Sequence, residues 1–476
     1  MFGLETGIFI LLSLCLLAAC AFEFINGFHD TANAVATVIY TNSLKPSQAV
    51  IWSGIWNFIG LLASVYLFAG LGVAMKIVNL LPVELLIDQN VYHAIAMILA
   101  LLFSAIIWNF GTWYFGLPSS SSHTLIGSIL GVGLGYSLLP ENKTGSIAVN
   151  WAEAQKIFSS LLISPLLGFS LAVVIMFILR RVLSKNIRKQ VFSEPEKDAP
   201  PPLWIRAILI LTCTLVSFFH GNNDGQKGVG LVMLILIGIL PSYFAIHKTE
   251  DLGAFKQNLT VIEQKMAKVD TAGFSTVDIA RVKTVKDNVA KLNGMIGVNN
   301  AVDKEKSLDV RKSILLIKSN VSKLIEGGSL TLNEKDIKEL KDNLGEKKGL
   351  AAMTDFAPAW VLLMISLSLG LGTMIGWKRI VVTVGEKIGK NHLTYAQGAS
   401  AELVAASTIG IASSLNLPVS TTHVLSSGIA GTMVANKGIK NLQAGTIKNI
   451  LLAWLLTLPV SIILSATLFV LFRWIF

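Results

Sequence analysis

Charge is scarce in this chain: Asp, Glu, Lys and Arg make up only 14% of its 476 residues, against 53% hydrophobic residues. A soluble domain carries roughly 25% charged residues, so this composition falls outside the ordinary soluble class. Cysteine is almost missing, and Cys15, Cys20 and Cys213 all lie in apolar stretches. They read as small packing residues, and no disulfide framework can be inferred from them. No Lys or Arg precedes Lys45, so the basic start of a cleavable leader is lacking even though LAAC at 17–20 resembles a lipoprotein box. A Walker lysine motif is also absent, which argues against ATP drive. The net charge of +10 could suit nucleic acid. No nucleic-acid module is visible, however, and the basic residues cluster in short loops beside apolar spans, as membrane orientation requires.

What the chain does have is long apolar runs. Ile8 to Phe24, Ile51 to Ala74, Ala94 to Phe115, Ile157 to Leu183, Leu203 to Phe219, Val229 to Ile246, Ala359 to Trp377, Thr394 to Leu415 and Ile447 to Phe472 approach or exceed the roughly 20 residues that cross a bilayer. All read as helices, because a membrane barrel would show many short alternating segments instead. The expectation is an all-α polytopic membrane protein.

Two motifs recur. LPSSSSH at 117–123 returns as LPVSTTH at 417–423, an offset of 300, and NGFHDTAN at 26–33 returns as HGNNDGQK at 220–227, an offset of 194. The same order with 106 extra residues in the second copy implies a duplicated unit carrying an insertion. Composition locates that insertion at 248–357, where charges recur every third or fourth position. Val282, Val285, Val289, Leu292 and Ile296 form one apolar stripe there, and Ile314, Leu315, Ile317, Val321 and Leu324 a second, which predicts a small soluble helical bundle. The expected organisation is a first membrane repeat at 1–182, a basic cytoplasmic linker at 183–203, and a second repeat at 204–247 and 358–476.

Arg180, Arg181, Lys185, Arg188, Lys189 and three consecutive prolines mark the linker as the cytoplasmic side. Lys378, Arg379, Lys387 and Lys390 reach the same side if each half crosses an odd number of times. An odd count makes the halves inverted and puts both termini and the insertion outside. Gly27 offers a place to unwind a first helix that would otherwise overshoot the membrane, so paired broken helices are expected. Pro118 and the serines behind it should end one helix and cap the next, giving paired re-entrant or hairpin segments.

Helix starts carry free N–H groups and a partial positive charge, so a hydroxyl-lined start is an anion site without a formal cation. Ser120, Ser121 and Ser122 supply one such start and Ser420, Thr421 and Thr422 the other; facing each other they would hold a tetrahedral oxyanion. A lone serine run would be a simple cap, but repetition beside acidic helices favours the site. Asp30 and Asp224 repel an anion unless a cation or proton lies between. Each costs roughly 2.5–3.5 kcal/mol at mid-bilayer on an insertion scale, which points to an ion or metal site. Asp224 and Lys227, at i and i+3, could also neutralise each other, or Lys227 could contact the anion as a point charge. Asn33, Asn222 and Asn223 can bridge cation and anion. His123 and His423 suit either proton coupling or packing, while His29 and His220 occupy unmatched positions and rank lower. Glu23 and Glu402 are further acids in apolar spans and candidate proton carriers. Ser122 beside His123 invites a hydrolase reading, but neighbours on a helix diverge by about 100 degrees and cannot form a nucleophile–base pair.

NGFHDTANAVATVIY, GNNDGQKGVGLVML, LPSSSSHTLIG and LPVSTTHVLSS resemble the paired signatures of the Pit inorganic phosphate transporter family, nearest its bacterial low-affinity branch, over nearly the whole chain except the insertion. The resemblance implies phosphate symport with protons or sodium, a neutral divalent metal phosphate as the transported species, and residence in the bacterial cytoplasmic membrane. With the reading of the residues above, the phosphate candidates are Asn33, Ser120, Ser121, Ser122, Asn223, Lys227, Ser420, Thr421 and Thr422, of which the resemblance strengthens Asn33 and Asn223, and the cation candidates are Asp30 and Asp224. No cofactor is expected beyond a divalent metal such as Mg2+ as co-substrate. The partners are phosphate, protons or sodium, a divalent cation and the lipid bilayer, with a homodimer left open. A sodium-coupled carrier, a sulfate permease of the same architecture and a membrane hydrolase are the alternatives.

Overall fold

The computed structural model describes the chain apart from residues 1–3, 68–69, 82–89, 140–148, 197–198, 248–250, 297–301, 331 and 346–347 and the side chains of Thr31 and Asn33. Among the described residues it is all helical, with two isolated bridges and no strand. It divides into two units, Met1–Ile235 with Pro358–Phe476, and Leu236–Ala357.

The first unit holds the apolar helices. Its first half comprises α1 (Thr6–Tyr40), α2 (Pro46–Tyr66), α3 (Gly72–Val78), α4 (Val91–Tyr114), α5 (Ser121–Ser137) and α6 (Trp151–Val182), followed by the short basic α7 (Lys185–Val191) and α8 (Leu203–Ile239). Among the described residues, six helices are long and apolar enough to cross a membrane, and a bent pair, taken as one span, adds a seventh. The expected spans at 203–219 and 229–246 are therefore corrected: the polar motif between them stays inside one continuous helix. Gly27 does not unwind α1 either. A Cβ at Gly27 would lie 2.4 Å from Leu369 O, and one at Gly221 would lie 2.1 Å from Asn57 O. Both glycines admit a neighbouring backbone, so the helical hydrogen bonds survive and the freed space is filled by protein. The bend falls elsewhere, where Ala359–Thr373 meets Lys378–Lys387 at 55° through Gly376.

The second unit contains α9 (Leu252–Ala267), α10 (Thr276–Met295), α11 (Ser307–Glu326) and α12 (Glu334–Leu344). Asp251, Ser275 and Asn333 cap three of these starts through their side-chain oxygens. Val282, Val285, Val289 and Leu292 of α10 bury against Ile314, Ile317, Val321 and Leu324 of α11, with Phe255, Leu259 and Ile262 of α9 in the same core. Leu315 departs from its expected stripe and is only half-buried. The chain enters and leaves this unit at one place: Arg311 Nη1 donates to Ala245 O at 3.1 Å and to Thr354 O at 2.8 Å, and His247 N donates to Met353 O.

The first unit then resumes with α13 (Ala359–Thr373), α14 (Lys378–Val382), α15 (Tyr395–Ser414), α16 (Thr421–Lys437) and α17 (Ala444–Ile475). Register gives the helix directions. Trp52 bonds Thr214, Ser53 bonds Ser217 and Gly225 touches Leu61, so α2 and α8 run the same way. Gly372 lies on Phe24 and Gly376 on Phe28, so α13 follows α1. The five-residue turn between α1 and α2 folds them back on each other as an αα-hairpin. Exchange between the halves continues further along: Gly127, Gly131 and Gly135 of α5 seat successive turns of α17, while Gly168 of α6 and Gly431 of α16 seat each other's helix.

Candidate functional site

The two hydroxyl runs are built alike. Gly116 at φ +67° and Asn416 at φ +57° both take the left-handed conformation, which turns the chain from α4 into α5 and from α15 into α16. Left-handed φ suits Gly and Asn in particular, and these are the residues found. Leu117 N then bonds Thr112 O, and Leu417 N bonds Ala412 O. Ser120 and Ser420 are the N-caps, each accepting from the backbone N–H three residues on at 3.2 Å. Each turn is braced by the other half. Thr383 Oγ1 donates to Gly116 O at 2.8 Å, and a Cβ on Gly72 of α3 would collide with Asn416.

Both runs converge on one carboxylate. Asp30, 2% exposed, accepts from Ser121 Oγ at 3.2 Å, from Thr421 Oγ1 at 3.3 Å and from Thr422 Oγ1. His29 Nδ1 stands 3.6 Å from its Oδ1, and His220 Nε2 stands 3.5 Å from its Oδ2. The same His220 nitrogen lies 3.6 Å from Asp224 Oδ2. Asp30, His220 and Asp224 thus form a buried group whose ligand atoms lie within 4.8 Å of one another. Asp224 Oδ2 and His220 Nε2 have no hydrogen-bond partner, so both are free to ligate a cation. Two carboxylates and one imidazole fit a divalent ion that keeps some of its water.

Asp224 is neutralised differently. Lys227 Nζ lies 2.7 Å from its Oδ1, 2.6 Å from Ser122 Oγ and 2.8 Å from Val419 O, which occupies all three ammonium donors. Asn223 latches the second turn, donating to Ser413 Oγ and Leu417 O and accepting from Val419 N. Asn222 is buried beside it, whereas the Asn33 side chain lies outside the described residues.

The histidines of the runs form a stack. His123 and His423 have ring centroids 4.5 Å apart, and His423 lies 4.0 Å from the Trp454 ring. His123 Nδ1 pairs with Ser120 Oγ at 2.7 Å rather than with Ser122, so no nucleophile–base pair is assembled. Glu23 accepts from Asn26 at 3.2 Å through one oxygen, while the other has no hydrogen-bond partner and lies over Gly228, next to Lys227. Glu402 is apart from this centre, its oxygens taken by Thr37 and Thr212.

His220, ranked low on the sequence, stands between the acids. Its signal was present: four residues before Asp224, it shares that acid's helix face. Asn57, which bonds His220 Nδ1 at 3.0 Å and Thr373 Oγ1 at 2.8 Å, gave no signal, because it lies in another apolar span without a repeated motif.

A family model described as the phosphate transporter family matches residues 26–465. Two low-affinity inorganic phosphate transporters of Escherichia coli (strain K12) are similar to the chain. PitB is 40% identical over 98% of this chain and 99% of its own, and PitA is 40% identical over 98% and 97%. A solved structure titled the sodium-dependent phosphate transporter shares the fold, with a TM-score of 0.55 and 20% identity over 98% of this chain and 100% of that one.

Proposed function

The chain belongs to the phosphate transporter family, and from that footing we propose that it imports inorganic phosphate through a seat shared by its two hydroxyl runs. It is an integral membrane protein and a transporter, not an enzyme. The observation that carries the proposal is the meeting of Ser121, Thr421 and Thr422 on one buried carboxylate. Hydroxyls from two helix starts already solvate an anion there, and a phosphate oxygen presents the same acceptor chemistry. In this reading Asp30 and phosphate compete for the same hydroxyl donors. Phosphate enters when a cation or proton relieves the repulsion and the carboxylate turns from hydroxyls to cation. Ser120 and Ser420 fix the helix starts, and Ser122 and Asn223 fix the turns.

The transported species in this reading is a neutral divalent metal phosphate, with Mg2+ as co-substrate between Asp30, His220 and Asp224. Proton symport runs through Glu23, whose second oxygen lacks a hydrogen-bond partner, with Glu402 as a further carrier. Alternating access follows from inverted repeats. α1 and α2 form a hairpin, α8 runs with α2 and α13 runs with α1, so the two acidic motifs ride on oppositely directed helices. The termini and the insertion then lie outside and the 183–203 linker inside.

The test is labelled phosphate uptake into proteoliposomes with independently imposed proton, sodium and magnesium gradients. Uptake should follow the proton gradient and require the metal. Uptake indifferent to all three would end the symport reading, and sulfate competing equally with phosphate would favour the sulfate permease.

A further inference from the structure

We propose that Lys227 is a built-in coupling cation: its ammonium fills, in the second half, an oxygen cage that would otherwise take a free alkali ion. The cage consists of a carboxylate oxygen of Asp224, the Ser122 hydroxyl and the Val419 carbonyl, at 2.6–2.8 Å from Nζ. Three different elements supply these atoms: α8, the start of α5 and the turn before α16. All are hard oxygen donors, the set that suits an alkali or alkaline-earth ion. Lys227 is only 2% exposed. With its three N–H groups taken, it has none left for a phosphate oxygen, so it serves the cage and not the anion.

The repeat makes the comparison sharper. Asn33 is the counterpart of Lys227 at the offset of 194, and Asp30 is the counterpart of Asp224. Asp30 has hydroxyls and two imidazoles around it. Asp224 has a tethered ammonium. A tethered charge occupies its site at every step of a cycle and cannot be carried across, whereas a free ion binds by mass action. Through Ser122 and Val419 O, the ammonium also ties the first hydroxyl run to the second turn, a task a bound ion would perform only when present. The second half therefore needs no mobile cation of its own, and the chain runs on one cation fewer per phosphate than a version with two asparagines. This consequence for transport rests on the phosphate-import reading; the cage itself does not.

The experiment restores the first-half residue as Lys227→Asn, with Lys227→Ala as a second variant, and compares purified protein and proteoliposomes in equal NaCl or KCl. In detergent, sodium should raise the melting temperature of both variants and leave the parent chain unchanged. In liposomes, phosphate uptake by Lys227→Asn should rise by about tenfold or more with sodium, within the usual range of coupling between bound ligands, while the parent is indifferent. Variants monodisperse only in sodium would also support the cage. A parent stabilised by sodium as strongly as the variants overturns the proposal, as do variants that ignore sodium or are aggregated in both salts. If the parent moves no phosphate while the variants still gain stability from sodium, the import reading fails and the cage stands.

Discussion

Asp30 and Asp224 occupy the same place in two copies of one motif, yet each is stabilised in its own way. Asp30 gathers hydroxyls from both halves and two imidazoles. Asp224 is held by a lysine one turn along its own helix. The two motifs thus share a frame, two acids on oppositely directed helices beside two capped helix starts. Single residues then decide which acid is fixed and which can exchange partners. One oxygen of Asp224 is held by a tethered ammonium, whereas a carboxylate held by neutral hydroxyls can give them up to a ligand.

The largest expected effect breaks this comparison directly. Asp30→Asn and Asp224→Asn should each reduce phosphate accumulation in proteoliposomes to background, but they should differ in stability. Asp224→Asn strands a buried ammonium, a loss of about 3–5 kcal/mol for a broken buried pair, and should melt well below the parent. Asp30→Asn keeps neutral partners and should melt close to it. Adding Lys227→Met to Asp224→Asn should return the melting temperature without returning transport. Equal melting of the two single variants would erase the distinction.

Next in size is the residue shared by both acids. His220→Ala should raise the magnesium concentration for half-maximal uptake by about 10–100-fold, the usual cost of disturbing a metal site. His123→Ala, which removes the ring stack and the Ser120 contact but no group facing the cation site, should leave that concentration unchanged. Matching shifts in the two would remove His220 from the cation site.

The smallest effect comes from a half-buried pair at the surface of the insertion, which serves as a reference for the fully buried one. In the insertion, the Lys265 hydrogen bond holds the Asp336 carboxyl below its ordinary value, and Asp336 with Glu339 holds the Lys265 ammonium above its own. The carboxyl's contribution is complete above its unfolded value and fades as pH falls through the lower folded one. The ammonium's is complete below its unfolded value and fades as pH rises through the higher folded one. Solvent screening keeps such pairs weak. Lys265→Met should therefore lower the melting temperature slightly at neutral pH, and the difference should vanish in acid. A drop as large as that of Asp224→Asn would mean that burial does not set the strength of these pairs.

Much of this arrangement was legible in the residues. The unequal offsets implied an insertion and the shift in composition located it, and Leu-Pro before a hydroxyl run announced a helix start. The expected break at Gly27 failed for a physical reason: glycine marks a close approach, and sequence alone does not say whether a ligand or a backbone makes it. Leu369 O fills that space. His220 had helical spacing to Asp224 but no symmetric partner, and repeat logic discounts what is not repeated. Asn57 and the Val419 carbonyl act through tertiary contacts and leave no local pattern.

The central claim is that one anion seat takes hydroxyls from both halves. Equilibrium binding of labelled phosphate to the purified protein tests it, comparing Ser121→Ala, Thr421→Ala and the double variant. Each lost hydrogen bond should weaken binding by about 1 kcal/mol, roughly fivefold in Kd, with one phosphate per chain throughout and non-additive effects in the double variant. Binding that depends on one run and ignores the other, or two independent phosphates per chain, would contradict it.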